Sequence, residues 1–187
     1  MLLTMTTLLV LAAAGPTSHT DARRDCLDKS GDIAIENCTE ALALNPNDVK
    51  LFMARGYEYN HKRDYDHGLA DYRKASELDP QNAIAFHGLA YAYVGKGDYD
   101  RAIAEFDRAI KLSPRNPVAY TDRGLTYEQK GDYRAAVRSF DRALELSPGY
   151  AKAYYSRSLA REKLGDAAGA ATDLAKARRI DPGIGRD

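Results

Sequence analysis

The stretch AIAFHGLAYAYVGKGDYDRAIAEFDRAIKLSPRN, residues 83–116, decides the fold, because its pattern recurs along the chain at one fixed interval. The recurrence is clearest in five evenly spaced prolines: Pro46, Pro80, Pro114, Pro148 and Pro182. An alanine stands five residues before each of them. Self-similarity at a constant period is the signature of a repeat array, so the chain is predicted to be a stack of similar units.

Each unit is predicted to hold two helices. In residues 83–116 the first helix shows apolar positions at i, i+3, i+4 and i+7: Phe86, Leu89, Ala90 and Tyr93. The second helix repeats that spacing at Ala102, Phe106, Ala109 and Ile110. Between them, Gly97-Asp98 predicts a helix stop followed by a new N-cap. The second helix ends before the recurring proline, because the residue preceding proline is disfavoured in helical geometry.

Small residues recur at fixed places in these helices, for example at Gly56, Ala90 and Gly124. They let helix axes approach closely, while the recurring Phe and Tyr side chains fill the layer between helices. No unit can bury its apolar face alone, so neighbouring units must supply the core. We therefore expect a curved rod without a single globular centre.

These positions resemble the tetratricopeptide repeat, whose pattern is an aromatic, Leu, Gly, Tyr, Ala, Phe, Ala and Pro at set offsets in each unit. The resemblance covers residues 49–184. It implies an all-α, right-handed superhelical solenoid of antiparallel helix pairs. Departures from the pattern in the first helices include Arg55 and Arg123, where the family usually has Leu, and Ser158 and Arg161 in the last unit.

The repeat boundaries give the expected organisation. A signal peptide at 1–22 precedes a degenerate first repeat, or N-terminal cap, at 23–48. Complete repeats follow at 49–82, 83–116 and 117–150, and residues 151–187 hold the last repeat-like unit and a tail.

The N-terminal stretch MLLTMTTLLVLAAA, residues 1–14, carries no charge and is shorter than a membrane-spanning helix. It is typical of a secretory signal, with cleavage expected after Ala14 or Ala22. No Lys or Arg precedes the apolar run, so an irregular N-terminal tail is the alternative. The signal interpretation predicts an exported protein, periplasmic or extracellular, with no transmembrane anchor after cleavage.

Cys26 and Cys38 are the only cysteines, and both lie in the first unit. Across an antiparallel helix pair they could face each other, so a disulfide is expected in an exported protein. The alternative is two buried thiols that pack as small apolar residues.

Composition and spacing exclude several function classes. The charges balance at 27 basic and 27 acidic residues, which argues against a nucleic-acid binder. The densest group of candidate metal ligands, His61, Asp64, Asp66 and His67, straddles a turn where charged residues are normally solvated. No nucleophile and base stand at catalytic spacing. We expect neither an enzyme nor a cofactor or metal site.

In the resembling family, the first helix of each unit lines a concave groove that binds peptides. The corresponding positions here are largely aromatic and apolar: Met53, Tyr57, His87, Tyr91, Thr121, Leu125 and Tyr155. We expect a protein-interaction scaffold that binds a peptide or protein segment there. Two alternatives stay open. The tyrosines could serve only packing between units, or the protein could be an assembly factor that self-associates through an uncapped end.

Overall fold

The computed structural model describes residues 19–186 of the 187-residue chain, and these form ten α-helices and no strand. The helices are α1 (His19–Asp28), α2 (Gly31–Leu44), α3 (Val49–His61), α4 (Tyr65–Leu78), α5 (Ala83–Gly95), α6 (Tyr99–Leu112), α7 (Pro117–Lys130), α8 (Tyr133–Leu146), α9 (Ala151–Lys163) and α10 (Ala167–Ile180). Each helix packs against the next along the chain. The predicted all-α, right-handed solenoid of antiparallel helix pairs is confirmed.

The odd-numbered helices form the inner layer of the array. In addition to their sequence neighbours, α1 contacts α3, α3 contacts α5, and α7 contacts α9. No such series of contacts joins the even-numbered helices of the described residues. The odd-numbered helices therefore lie closer to one another, so the stack curves with these helices on its concave side.

Turn chemistry within the units follows the sequence prediction. Gly97 has a left-handed backbone with φ of 75°, and the Asp98 side chain then accepts a hydrogen bond from Arg101 N at the start of α6. The α3–α4 turn reaches the same geometry without glycine, because Arg63 takes φ of 62°. A residue with a Cβ is strained in this region of backbone conformation.

The core runs within and between units and is built around the recurring aromatic residues. Phe106 and Phe140 are 1% and 0% exposed. Gly124 permits the close approach of α7 to α8, since a Cβ at this position would lie 2.5 Å from the Phe140 ring. The smallest and largest side chains of the repeat thus fit together, as the sequence predicted.

Arg55, and Arg157 and Arg161 in the last unit, form buried ion pairs. Arg55 donates from Nε and Nη2 to the two carboxylate oxygens of Asp71, at 2.8 and 2.7 Å, and Asp71 is buried. In the last unit Arg157 binds Asp173 in the same two-pronged way, and Arg161 donates to the same carboxylate at 2.8 Å. A buried charge is tolerated when it is paired and hydrogen-bonded, which accounts for Arg in place of Leu.

Lysines at the ends of three odd-numbered helices form a ladder of ion pairs between units, which we call the lysine ladder. Its rungs join Lys62 to Asp32, Lys96 to Asp66, and Lys130 to Asp100. The fourth place of the ladder, one repeat further along the chain, holds Leu164 and Arg134 instead. The junction between the last two units therefore has no rung.

The first unit is a short helix pair joined by a disulfide between Cys26 and Cys38, whose Cα atoms are 4.6 Å apart. Both cysteines pack with Ala22 and Leu51 in the core between α1 and α3. Helix α1 begins at His19, before the unit boundary expected at 23. The expected signal segment falls mostly on residues 1–18, which lie outside the described residues.

Candidate functional site

The concave surface is lined by odd-numbered helices and carries exposed apolar side chains from α3 to α9. Between Val49 and Lys163, every large hydrophobic side chain that is exposed lies on α3, α5, α7 or α9: Tyr57, Ile84, Tyr91, Val118 and Leu159. Helices α4, α6 and α8 expose none. Apolar side chains grouped on one face, instead of scattered singly, mark a surface for interaction.

The centre of this surface is a groove of about 420 Å³ that crosses four units. Its lining comes mainly from successive odd-numbered helices: Tyr57, Asn60, His61, Tyr72, His87, Gly88, Tyr91, Val118, Asp122 and Lys152. A second hollow of about 430 Å³ adjoins it, and the two share His87 and Val118. The groove therefore draws on several units instead of lying within one.

His87 is fixed at the floor of the groove by two neighbours. Its Nε2 lies 2.9 Å from Oδ2 of Asp122 on the next odd-numbered helix. An ionised carboxylate can only accept, so the imidazole donates in this bond. The ring also meets the Phe106 ring edge-on, with centroids 5.3 Å apart. His87 thus links two units and is held in one orientation.

Tyr57 and Tyr91 are the most open aromatic residues of the groove, at 53% and 50% exposed. The Tyr57 ring also contacts His61, with ring centroids 4.2 Å apart. An exposed tyrosine offers a large apolar ring together with a hydroxyl that can remain hydrated. These two side chains are suited to act as walls for a bound segment.

Four other predicted groove residues are only half-exposed. Met53 packs against the core around Tyr72, and Leu125 packs against the core around Phe140. Tyr155 contacts the C-terminal tail at Gly185. His87, described above, is also half-exposed. Their inner parts belong to the core, so each can present only part of its surface to a partner.

Thr121 is a wrong prediction within the groove set. Its side chain is 0% exposed, and its hydroxyl donates to Pro117 O at 2.9 Å, within its own helix. The residue stands at a predicted groove position, but its side chain is too short to reach past its larger neighbours. It cannot contact a partner directly.

A buried amide at the inner edge of the groove ties two units together. Asn60 is 4% exposed and donates from Nδ2 to Gly88 O of the next odd-numbered helix at 3.2 Å. Two repeats further along the chain, Glu128 stands at the same register of α7. Burial raises the pKa of the Glu128 carboxyl to about 7. Its carboxylate makes no hydrogen bond or ion pair within residues 19–186.

The residues of the α3–α4 turn do not assemble into a metal site. Asp66 pairs with Lys96, while Asp64 caps α4 and contacts His67 at 2.8 Å. Within the described part of the chain, no group of three or more His, Cys, Asp or Glu could hold a metal ion. These side chains serve turns and the junction between units.

Asp122, Val118 and Lys152 line the groove, and Ile84 lines the adjoining hollow, in addition to the seven predicted residues. Ile84, Val118 and Lys152 have a sequence signal, since each stands one helical turn before a predicted groove residue on its own helix. Asp122 has no such signal. It enters the groove because the twist between units brings it to His87.

No helix within residues 19–186 has the length and apolar character needed to span a lipid bilayer.

Two family models described as tetratricopeptide repeat match the chain, at residues 53–117 and 89–155. Together they span 53–155, more than half of the sequence. No curated protein matches the sequence.

Solved structures similar to this chain include MamA, which is 27% identical with a TM-score of 0.75, over 81% of this chain and 88% of that one. MamA 41-end from Desulfovibrio magneticus RS-1 is 18% identical with a TM-score of 0.78, over 88% and 93%. YrrB, described as a TPR protein with an unusual peptide-binding site, is 23% identical with a TM-score of 0.68, over 81% and 78%. The likenesses to the second and third structures show a shared fold alone.

Proposed function

This chain belongs to the tetratricopeptide repeat family, and from that premise we propose that it binds a peptide or protein segment in its concave groove. Membership makes the chain a non-enzymatic protein-interaction scaffold. One observation carries the finer proposal. Between Val49 and Lys163, the exposed large apolar side chains lie only on the helices that line the groove. The peptide-binding site described for YrrB, on the same fold, supports this use of the scaffold.

Binding in such a groove depends on a few anchor contacts. Extended or helical segments bury some side chains against apolar walls, and a small number of residues usually carry most of the affinity. Tyr91 is central in the array, half-exposed, and placed beside Tyr57 and His87 in the groove. We therefore assign Tyr91 as the principal wall residue.

The test compares Tyr91 with Tyr93, its buried neighbour two positions on, which is 7% exposed. Tyr91→Ala should weaken partner binding by about 2 kcal/mol or more and leave the thermal melt nearly unchanged. Tyr93→Ala should lower the melting temperature strongly, because it opens a cavity in the core. The partner is obtained by crosslinked pull-down with the full protein. Equal destabilisation by the two variants, with unchanged binding per folded molecule, would show that Tyr91 only packs.

A second candidate function is self-association through the C-terminal end of the array. A hollow of about 360 Å³ opens on α9 and α10, and its lining includes Leu159, Ala171 and Leu174. This is the kind of surface that a neighbouring helix covers elsewhere in the stack. Size-exclusion chromatography at two concentrations separates the candidates. A monomer at both supports groove binding, whereas growth with concentration supports end-to-end assembly.

Export to the periplasm or beyond is also part of the proposal. The uncharged apolar run at 1–14 and the Cys26–Cys38 disulfide both support an oxidising compartment. Between the two expected cleavage sites, we favour Ala14. Cleavage after Ala22 would remove the first turn of α1 together with a side chain that is only 1% exposed. N-terminal sequencing of the protein from its host should begin at Gly15, and a start at Met1 would overturn export.

A further inference from the structure

We propose that the concave surface beside the groove, on α7 and α9, takes a basic segment, with a Lys or Arg side chain of the partner forming an ion pair with Glu128. This inference rests on the proposed groove function and names the chemistry of its partner. It follows from the surroundings of Glu128, from the charges near it, and from the apolar side chains beside it.

Glu128 lies in the last turn of α7. At the same register two repeats earlier, Asn60 spans the crevice between units by donating an amide hydrogen to a helix carbonyl, Gly88 O. An ionised carboxylate has no hydrogen to donate, so Glu128 cannot make that bond in its charged form. The register that holds a donated hydrogen bond at Asn60 thus holds a half-buried, unpaired carboxylate at Glu128.

The described residues of the protein supply no cation to Glu128. Lys130, two positions on, is already paired with Asp100. Lys152 and Lys163 of the neighbouring helix α9 make no ion pair with Glu128, although both belong to the described chain. Glu162 repeats the negative charge at the same register of α9. Both glutamates lie in the last turns of their helices, where the helix dipole adds negative potential.

Apolar side chains lie on the same helices as these charges. Leu125 precedes Glu128 by one helical turn and is half-exposed. On α9, Leu159 is 40% exposed at the register of Tyr91. Lys and Arg bury their aliphatic stems on apolar surface and keep the charged head on a polar group. A basic side chain thus matches both the apolar surface and the unpaired carboxylate, which an acidic or purely apolar side chain would not.

The experiment selects ligands without assuming a sequence. A displayed library of random dodecapeptides is panned on the full protein, and one selected peptide is synthesised with its basic residue and with norleucine in that place. Calorimetry then measures both peptides on the wild type, Glu128→Gln, Tyr91→Ala and the control Glu145→Gln. The control removes the same charge from α8, which does not line the groove.

Selected peptides should share a Lys or Arg at a fixed position. Norleucine and Glu128→Gln should each weaken binding about tenfold, and together they should cost little more than either alone, because they remove one interaction. Losses that add, or full affinity for Glu128→Gln while Tyr91→Ala fails, would overturn the basic partner and leave groove binding intact. Binding that ignores both variants, or no selected peptide, would overturn groove binding as well.

Discussion

Arg63 holds in the α3–α4 turn the left-handed backbone that Gly97 holds at the matching place of the next unit, with φ of 62° and 75°. Of the described residues that are not glycine, Arg63 is the only one with a positive φ. The helix pair of residues 49–82 therefore closes through a strained residue, whereas the turns at Gly97, Gly131 and Gly165 close through glycine.

The first prediction follows from that strain. Arg63→Gly should stabilise the protein by about 1 kcal/mol, because a side chain in the left-handed region costs about 1–2 kcal/mol and glycine returns part of this gain as unfolded-state entropy. Urea unfolding measures the change as a higher midpoint. The matched control is Gly97→Ala, which should destabilise by a similar amount. A midpoint that does not rise for Arg63→Gly would show that the turn is not strained.

The second prediction concerns the ion pair of Arg55 and Asp71. Arg55→Leu should destabilise by about 3 kcal/mol, since it leaves a buried carboxylate without its cation. Adding Asp71→Ala should recover much of this loss, because no charge then remains buried. Leu89 occupies the register of Arg55 in the next unit, so Leu fits the place sterically. Denaturant unfolding of the three variants completes the cycle, and strictly additive losses would contradict coupling.

The third prediction concerns Cys26 and Cys38. Under non-reducing conditions the intact mass should be two hydrogens below that of the reduced protein. Reduction should destabilise the first unit by about 3 kcal/mol, as expected for a short closed loop. Thermal melts with and without reductant measure this, with the Cys26→Ala, Cys38→Ala double variant as the control that ignores reductant. Two alkylatable thiols in the unreduced, denatured protein would refute the disulfide.

The fourth prediction concerns Glu128 and pH. Its folded pKa of about 7 lies above the ordinary 4.5. The folded protein thus binds this proton more tightly, so the cost of the carboxylate is absent below about pH 4.5 and complete above about pH 7. Glu128→Gln should therefore stabilise the protein more at pH 8 than at pH 5. After allowance for solvent screening of a half-exposed group, this stabilisation should be about 1 kcal/mol larger at pH 8 than at pH 5.

Urea unfolding at both pH values measures this difference for Glu128→Gln and for the control Glu145→Gln. The control shows how much a Glu→Gln substitution on α8, away from the concave surface, changes stability at each pH. A flat difference for Glu128→Gln would mean that the carboxylate is solvated in the folded protein.

The helices and their ends could be predicted from the sequence because they depend on local spacing. Phe106 is buried at its predicted place, Asp98 caps α6, and Asn82 and Asn116 cap α5 and α7. Each of these relations joins residues within a few positions of one another. The constant period then repeats the same local solution along the chain.

The groove was less predictable, because it depends on how units turn relative to one another and on side-chain length. The predicted groove positions include Tyr57 and Tyr91, which are exposed. They also include Thr121, which is buried. Helical spacing fixes a direction and not the depth at which a short side chain ends. The contact of His87 with Asp122 joins different units and follows from the twist between them.

The break in the lysine ladder affects how the array comes apart. A linear stack unfolds from its ends, because an end unit loses one interface and an internal unit must lose two. At one end the disulfide constrains the first unit, and at the other the junction carries Leu164 and Arg134 in place of a rung. An exposed rung contributes little to stability, yet the missing one biases where opening begins. The chain should fray from α10 inward, so amide hydrogens in α9 and α10 exchange with solvent before those of the middle repeats.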